Sequence, residues 1–149
     1  MLFRSHTVCV DARALYATPD RVPSADEIVV EWPEQAFARI VLDRDTAVVV
    51  LTHDDKFDIP ALAAALRSEA FYVGALGSRR AQGKRRERLV EAGLGAAELE
   101  RLRGPAGLDI GAESPAETAV SILGEALALR AGRAGGPLRA AAGRIHVDR

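Results

Sequence analysis

The chain has 149 residues, 48% of them hydrophobic and 28% charged, and 20 Lys+Arg against 21 Asp+Glu leave a formal net charge of -1. That balance excludes a disordered chain and a generally basic nucleic-acid binder, and the length suits one domain with its own core. The longest apolar run, Thr46 to Leu51 with its neighbours, is well short of the roughly 18 residues of a membrane helix, so no membrane association is expected. A lone Cys9 excludes an internal disulfide framework and, with no secretory pattern at Met1 to Ser5, points to the cytoplasm.

Short β-branched runs alternate with alanine-rich stretches, the pattern of βαβ units on a parallel sheet, so the fold class is α/β. Strands are expected at Thr7 to Val10, Glu27 to Val30, Ala47 to Leu51 and Phe71 to Leu76, each a nearly continuous apolar run suited to a buried parallel strand. Helices are expected at Glu34 to Arg39, Ile59 to Arg67, Arg79 to Ala92, Ala96 to Arg103 and Pro115 to Ala131. The last has the clearest start: Ser114 can cap, Pro115 suits the first helical position and Glu117 completes a capping box. Residues 132–149 carry glycines at 132, 135, 136 and 143 without periodicity and read as a flexible tail, in which only Arg144 to Val147 could form a short strand. Trp32-Pro33 reads as the anchor of a helix start in the core, and Cys9 as a packing residue inside its strand.

Ligands of an open parallel sheet lie outside the carboxyl ends of its strands, so the residues just after each strand carry the functional expectation. The first strand leads into Asp11, where nucleotide-binding folds place a ribose carboxylate and where turn residues are also common. The third leads into His53 and Asp54, able to act as a hydrogen-bonding pair, a proton shuttle or weak metal ligands, although no third ligand at metal spacing accompanies His53 and no dedicated metal site is expected; Asp58 reads as the cap of the next helix. The fourth carries Gly74-x-x-Gly77-Ser78 followed by Arg79 and Arg80. Its glycines would let the backbone approach a ligand, and the helix start and arginines would suit a phosphate. The alternative is a tight turn before a solvated basic helix face through Lys84, Arg85, Arg86 and Arg88. Asp109, between Gly107 and Gly111, can face the same edge or bond its own loop.

Three segments, Val50 to Asp58, Tyr72 to Arg80 and Gly104 to Ala112, together resemble the Rossmann domain of the XdhC/CoxI-type xanthine dehydrogenase accessory proteins. The resemblance runs from about Phe3 to Ala131, giving a domain over 1–131 and the tail over 132–149. It implies a factor, not a turnover enzyme, that binds the molybdenum cofactor, protects it during sulfuration and delivers it to a molybdenum hydroxylase such as xanthine dehydrogenase. A cofactor sulfurase and that hydroxylase would be its partners, and a homodimer is compatible. The cofactor-binding positions implied are Asp11, His53, Asp54, Gly74, Gly77, Ser78, Arg79, Arg80 and Asp109.

Family members carry an earlier strand and a Gly-x-Gly loop that have no counterpart here, which reads as an amino-terminally truncated, Rossmann-like three-layer sheet lacking its first strand and Gly-rich loop. Without that loop NAD(P) binding is doubtful, though an NAD(P)- or nucleotide-binding oxidoreductase or sensing module is the alternative reading, and docking of the basic helix on an acidic partner is a third. In sheet order 3-2-1-4-5 the missing strand is central. The expectation is a marginal fold unless the two halves pair directly, Arg144 to Val147 inserts, or a further protein chain contributes.

Overall fold

A computed structural model describes residues 5–145. In chain order the elements are β1 (Val8–Val10), β2 (Glu27–Val29), α1 (Pro33–Phe37), β3 (Ala47–Val50), α2 (Asp55–Arg67), β4 (Tyr72–Ala75), α3 (Arg79–Glu91), α4 (Ala96–Glu100), β5 (Leu102–Arg103) and α5 (Pro115–Arg130), followed by a 3-10 turn, Leu138–Ala140. Every strand pairing among the described residues is parallel, as the alternation of strands and helices requires. The expected α/β class and Rossmann-type layering are therefore present.

The strands form two sheets, β1-β2 and β3-β4-β5. Val8 lies opposite Glu27 in the first, and Ala47 opposite Tyr72 and Val73 opposite Leu102 in the second. Direct pairing of the two halves, one of the routes open to the sequence, does not occur among the described residues. Side-chain packing joins them instead: α1 lies against α2, and Trp32, just after β2, stacks on Phe57 of α2 with ring centroids 4.5 Å apart. The tail up to Ile145 is exposed and contains no strand, while the rest of the Arg144 to Val147 segment lies outside the described residues.

β4 explains the layering. All four of its residues are buried, and successive side chains point to opposite faces. Val73 and Ala75 join Leu62, Leu66, Leu89, Leu94, Leu99 and Leu102 in a core with α2, α3 and α4. Tyr72 faces the other way, against Ile122 and Ala126 of α5. Each fully buried leucine stabilises the fold by about 1.5–3 kcal/mol relative to exposure, so this central strand and its two covering layers carry the domain.

Two elements differ from the sequence expectation for physical reasons. Helix α2 begins at Asp55 rather than Ile59, because Asp54 caps it by accepting from the Lys56 amide at 3.1 Å, and Pro60 is tolerated inside the helix. The stretch expected as helix through Arg103 ends at Glu100 and yields to β5. Arg101 donates to the carbonyls of Leu66, Ser68 and Ala70 at the end of α2 and the turn beyond it, which draws Leu102 and Arg103 alongside β4. The α5 start is as expected, with Ser114, Pro115 and Glu117 in their capping roles. Among the described residues no helix is long and apolar enough to cross a membrane.

Candidate functional site

At the end of β1, the Asp11 amide continues the ladder by donating to the Val29 carbonyl at 3.1 Å. The Asp11 carboxylate accepts from the Arg13 amide and Nε at 2.8 and 2.9 Å on one oxygen, and from Arg13 Nη2 at 2.8 Å on the other. These bonds from Arg13 hold the Asp11 carboxyl below the usual carboxylate range. Asp11 is thus tied to its own turn, with Arg13 as the outward group. The Arg13 guanidinium lies over the Tyr16 ring at 4.5 Å and over the Phe57 ring at 5.0 Å. Burial, and then the Asp11 charge, push the Cys9 thiol up, which accords with a packing cysteine.

At the end of β3, His53 is exposed and Asp54 serves as the α2 cap rather than as its hydrogen-bonding partner. Asp58, expected to be that cap, is instead inside the helix and only 1% exposed. It accepts from the Thr52 hydroxyl on one oxygen and from Arg85 Nη2 at 2.7 Å on the other. Arg85 also donates to the Leu76 carbonyl at 2.9 Å, and Gln82 Nε2 donates to the carbonyls of Ala75 and Leu76. A buried polar network therefore fastens the β3–α2 and β4–α3 connections together immediately below the candidate edge.

Gly77 sits above that network with φ of +129°, a conformation that glycine alone adopts cheaply. Ser78 caps α3 by accepting from the Ala81 amide at 3.2 Å. The first-turn amides of α3 and its partial positive charge face out at this end, where Arg79 and Arg80 are exposed and take no partner among the described residues. Gly74 does not belong to this turn. It is buried within β4, and a Cβ there would come within 2.6 Å of Cε1 and 2.8 Å of the hydroxyl of Tyr72, so it makes room for that ring rather than for a ligand. The basic helix face is also reduced, since Arg85 is 5% exposed and committed to Asp58.

The loop after β5 crosses the same edge. Ala106 donates to the Ala75 carbonyl at 3.0 Å, and Gly107 donates to Glu125 Oε2 at 2.8 Å, an oxygen that also accepts from the Tyr72 hydroxyl at 2.7 Å. Ser121 fastens the next residue by donating to the Leu108 carbonyl. Asp109 stands exposed on this fixed loop. The structure thus puts Gly77, Ser78, Arg79, Arg80 and the loop of Asp109 around the end of β4, with His53 and Asp54 at the adjacent β3 end. Asp11 is on the other sheet, linked to them through Arg13 and Phe57.

Residues 2–126 match the XdhC Rossmann domain. The chain belongs to that family. This XdhC domain is 38% identical over 99 residues to the molybdenum cofactor insertion chaperone PaoD of Escherichia coli, covering 66% of this chain and 30% of that protein. It is 32% identical over 123 residues to a protein of Bacillus subtilis named as a probable xanthine dehydrogenase component, covering 83% of this chain and 35% of the relative. A crystal structure of a xanthine dehydrogenase from Bacillus halodurans superposes with a TM-score of 0.71 at 31% identity, over 86% of this chain and 36% of that one. The chain spans about a third of the length of these relatives.

Sequence reasoning missed the residues beneath the candidate site. Asp58 and Arg85 are 27 positions apart, and no local pattern pairs them. The available signal was that Gln82, Arg85 and Leu89 share one side of α3, so that polar groups sit on the stripe that must be buried. Trp32-Pro33 does open α1, with Trp32 as its cap and Pro33 buried, but the Trp32 ring lies outside the core, 43% exposed and stacked on the buried Phe57.

Proposed function

We propose that this XdhC domain binds the molybdenum cofactor as cargo, assists its sulfuration and aids its insertion into a xanthine dehydrogenase-type molybdenum hydroxylase in the cytoplasm, acting as a chaperone rather than a turnover enzyme. The turn from Gly77 to Arg80 is the observation that supports this most: a positive-φ glycine, a serine-capped helix start and two exposed arginines without partners among the described residues, braced from below by Arg85. Such a turn suits the terminal phosphate of the cofactor's pterin side chain, since backbone N–H groups and the helix dipole favour an anion and an arginine can grip it in bidentate fashion. Asp109 and His53 stand on adjoining exposed loops, where they can hydrogen-bond the uncharged parts of the cargo. The kinship with an insertion chaperone agrees with this chemistry. The cofactor sulfurase and the recipient hydroxylase are the partners that the role requires.

The test is the metal and pterin content of the chain purified from a host that makes the cofactor, with molybdenum read by mass spectrometry and pterin by fluorescence of its oxidised derivative. Stoichiometric amounts of both are expected. Arg79→Glu with Arg80→Glu should lower both about tenfold or more while leaving the thermal melt in place, because two charge-assisted contacts are reversed on an exposed surface. A wild-type chain carrying neither molybdenum nor pterin overturns the reading.

A further inference from the structure

We propose that Trp32, Tyr16 and Arg13 form a stacking platform for the flat, fused nitrogen heterocycle of a phosphorylated ligand, a pterin or a purine. This extends the reading of the carboxyl edge as a ligand site and rests on it.

Trp32 is the chain's single tryptophan, and it lies three residues beyond the end of β2 at Val29. A large apolar ring of this kind is normally covered, yet here 43% of it is exposed. It is nevertheless held flat: one face stacks on Phe57 at 4.5 Å with an interplanar angle of 21°, and Phe57 itself is 6% exposed and cannot yield. Tyr16 is 45% exposed and lies under the Arg13 guanidinium, with Arg21 5.4 Å from the same ring. Arg13 cannot swing away, because Asp11 clamps both its Nε and its Nη2. Trp32 is therefore held by Phe57 and Arg13 by Asp11 at the carboxyl ends of β1 and β2, with Phe57 touching both and the Tyr16 ring lying against Arg13, which lowers the ordering cost of binding.

The chemistry selects the occupant. Asp11 neutralises Arg13, and Arg21 stands as a cation beside the Tyr16 ring; the stacking surface itself is flat and polarisable, which suits an aromatic heterocycle attached to a phosphate better than an isolated anion. The anionic end of the same molecule has its own place at Arg79 and Arg80. The first turn of α2 connects the two: Phe57 supports the platform, and the next residue, Asp58, holds Arg85 and through it the Gly77 turn. Pterin and purine share this combination of a fused ring and a phosphate, so the experiment separates them.

Because Trp32 is the sole indole, its emission reports the platform directly. The full chain is titrated with a pterin monophosphate, with AMP and with inorganic phosphate. Saturable quenching by a ring-bearing probe and none by inorganic phosphate is expected. Trp32→Leu and Tyr16→Ala, followed by equilibrium dialysis, should each weaken ring-probe binding about tenfold, the loss typical of one removed stacking partner. Trp32→Phe, which keeps a flat ring and guards against misfolding of the leucine variant, should retain most of the binding. Quenching by the pterin probe alone identifies the cargo's ring as the occupant. Quenching by AMP alone keeps the platform and moves the occupant to a nucleotide, against the cargo reading. No quenching by either ring probe, or equal quenching by inorganic phosphate, overturns the platform, and the cargo reading then stands or falls separately on the molybdenum and pterin content.

Discussion

Arg85 donates to Asp58 across 2.7 Å, with both side chains almost wholly buried, at 5% and 1% exposed. Both charges are largely withdrawn from solvent, and each has a second partner: the Leu76 carbonyl for Arg85 and the Thr52 hydroxyl for Asp58. The pair joins the connection after β3 to the connection after β4, the two segments that hold most of the candidate site. An ion pair of this kind is weak evidence of net stabilisation against an apolar substitute, but it is costly to break by halves.

Arg85→Met should therefore lower the unfolding free energy by about 3–5 kcal/mol, because it strands the Asp58 carboxylate in the core. The double variant Arg85→Met, Asp58→Leu should regain most of that loss. Urea denaturation followed by circular dichroism measures both. A single variant as stable as the wild type would mean that Asp58 is reached by water and that the two connections are not fastened by this pair.

Gly74 and Tyr72 make a second test, since they point to the same face of β4 two residues apart. Gly74→Ala drives a methyl group into the Tyr72 ring and should cost about 1–3 kcal/mol, the usual penalty for overpacking a filled core. Combining it with Tyr72→Val should recover part of that loss by removing the ring. Thermal melts of the three variants decide the matter, and a Gly74→Ala chain that is fully stable but fails to bind pterin would restore the ligand-approach role that its sequence spacing suggests.

What the sequence made legible was local. The four long strands, the Ser114 cap of α5 and the order of the three family segments are written in neighbouring residues, by apolar runs and capping chemistry that need no tertiary partner. The turn at Gly77 and Ser78 was equally readable, because a glycine before a capping serine is a local signal. Asp58, Gln82, Tyr72 and Trp32 were not readable in their roles, since each is defined by a residue far along the chain: Arg85, the end of β4, Glu125 and Phe57. β5 was hidden for the same reason, being two residues long and set by Arg101 reaching back to the end of α2.

The Asp11–Arg13 clamp should loosen in acid. Its hydrogen bonds from Arg13 lower the folded-state pKa of Asp11 below its unfolded value, so the stabilisation is present above about pH 4 and is lost as pH falls through the lowered folded value. The stability difference between the wild type and Asp11→Asn should accordingly be constant near neutrality and shrink below about pH 4. Denaturation midpoints of the two chains, compared at stepped pH, show this directly. A gap that widens in acid would mean that Arg13 does not favour the charged form of Asp11.

Tyr72 gives the opposite limb. Burial first, and then the hydrogen bond it donates to Glu125, push its pKa well above the ordinary tyrosine range. The folded state thus holds the phenol proton, and the associated stability is intact below the unfolded tyrosine pKa of about 10 and declines as pH rises beyond it. Tyr72→Phe should be less stable at neutral pH by about 1 kcal/mol, through the lost hydrogen bond, yet flatter in stability above about pH 10. Phenolate absorbance read alongside circular dichroism should show Tyr72 ionising only as the fold is lost, because the Glu125 oxygen beside it also holds the Gly107 amide and cannot turn away without releasing the loop that carries Asp109. Ionisation of both tyrosines of the chain while the circular dichroism is unchanged would place the Tyr72 hydroxyl in water, and the loop's attachment would then have to come from Ala106 and Ser121 alone.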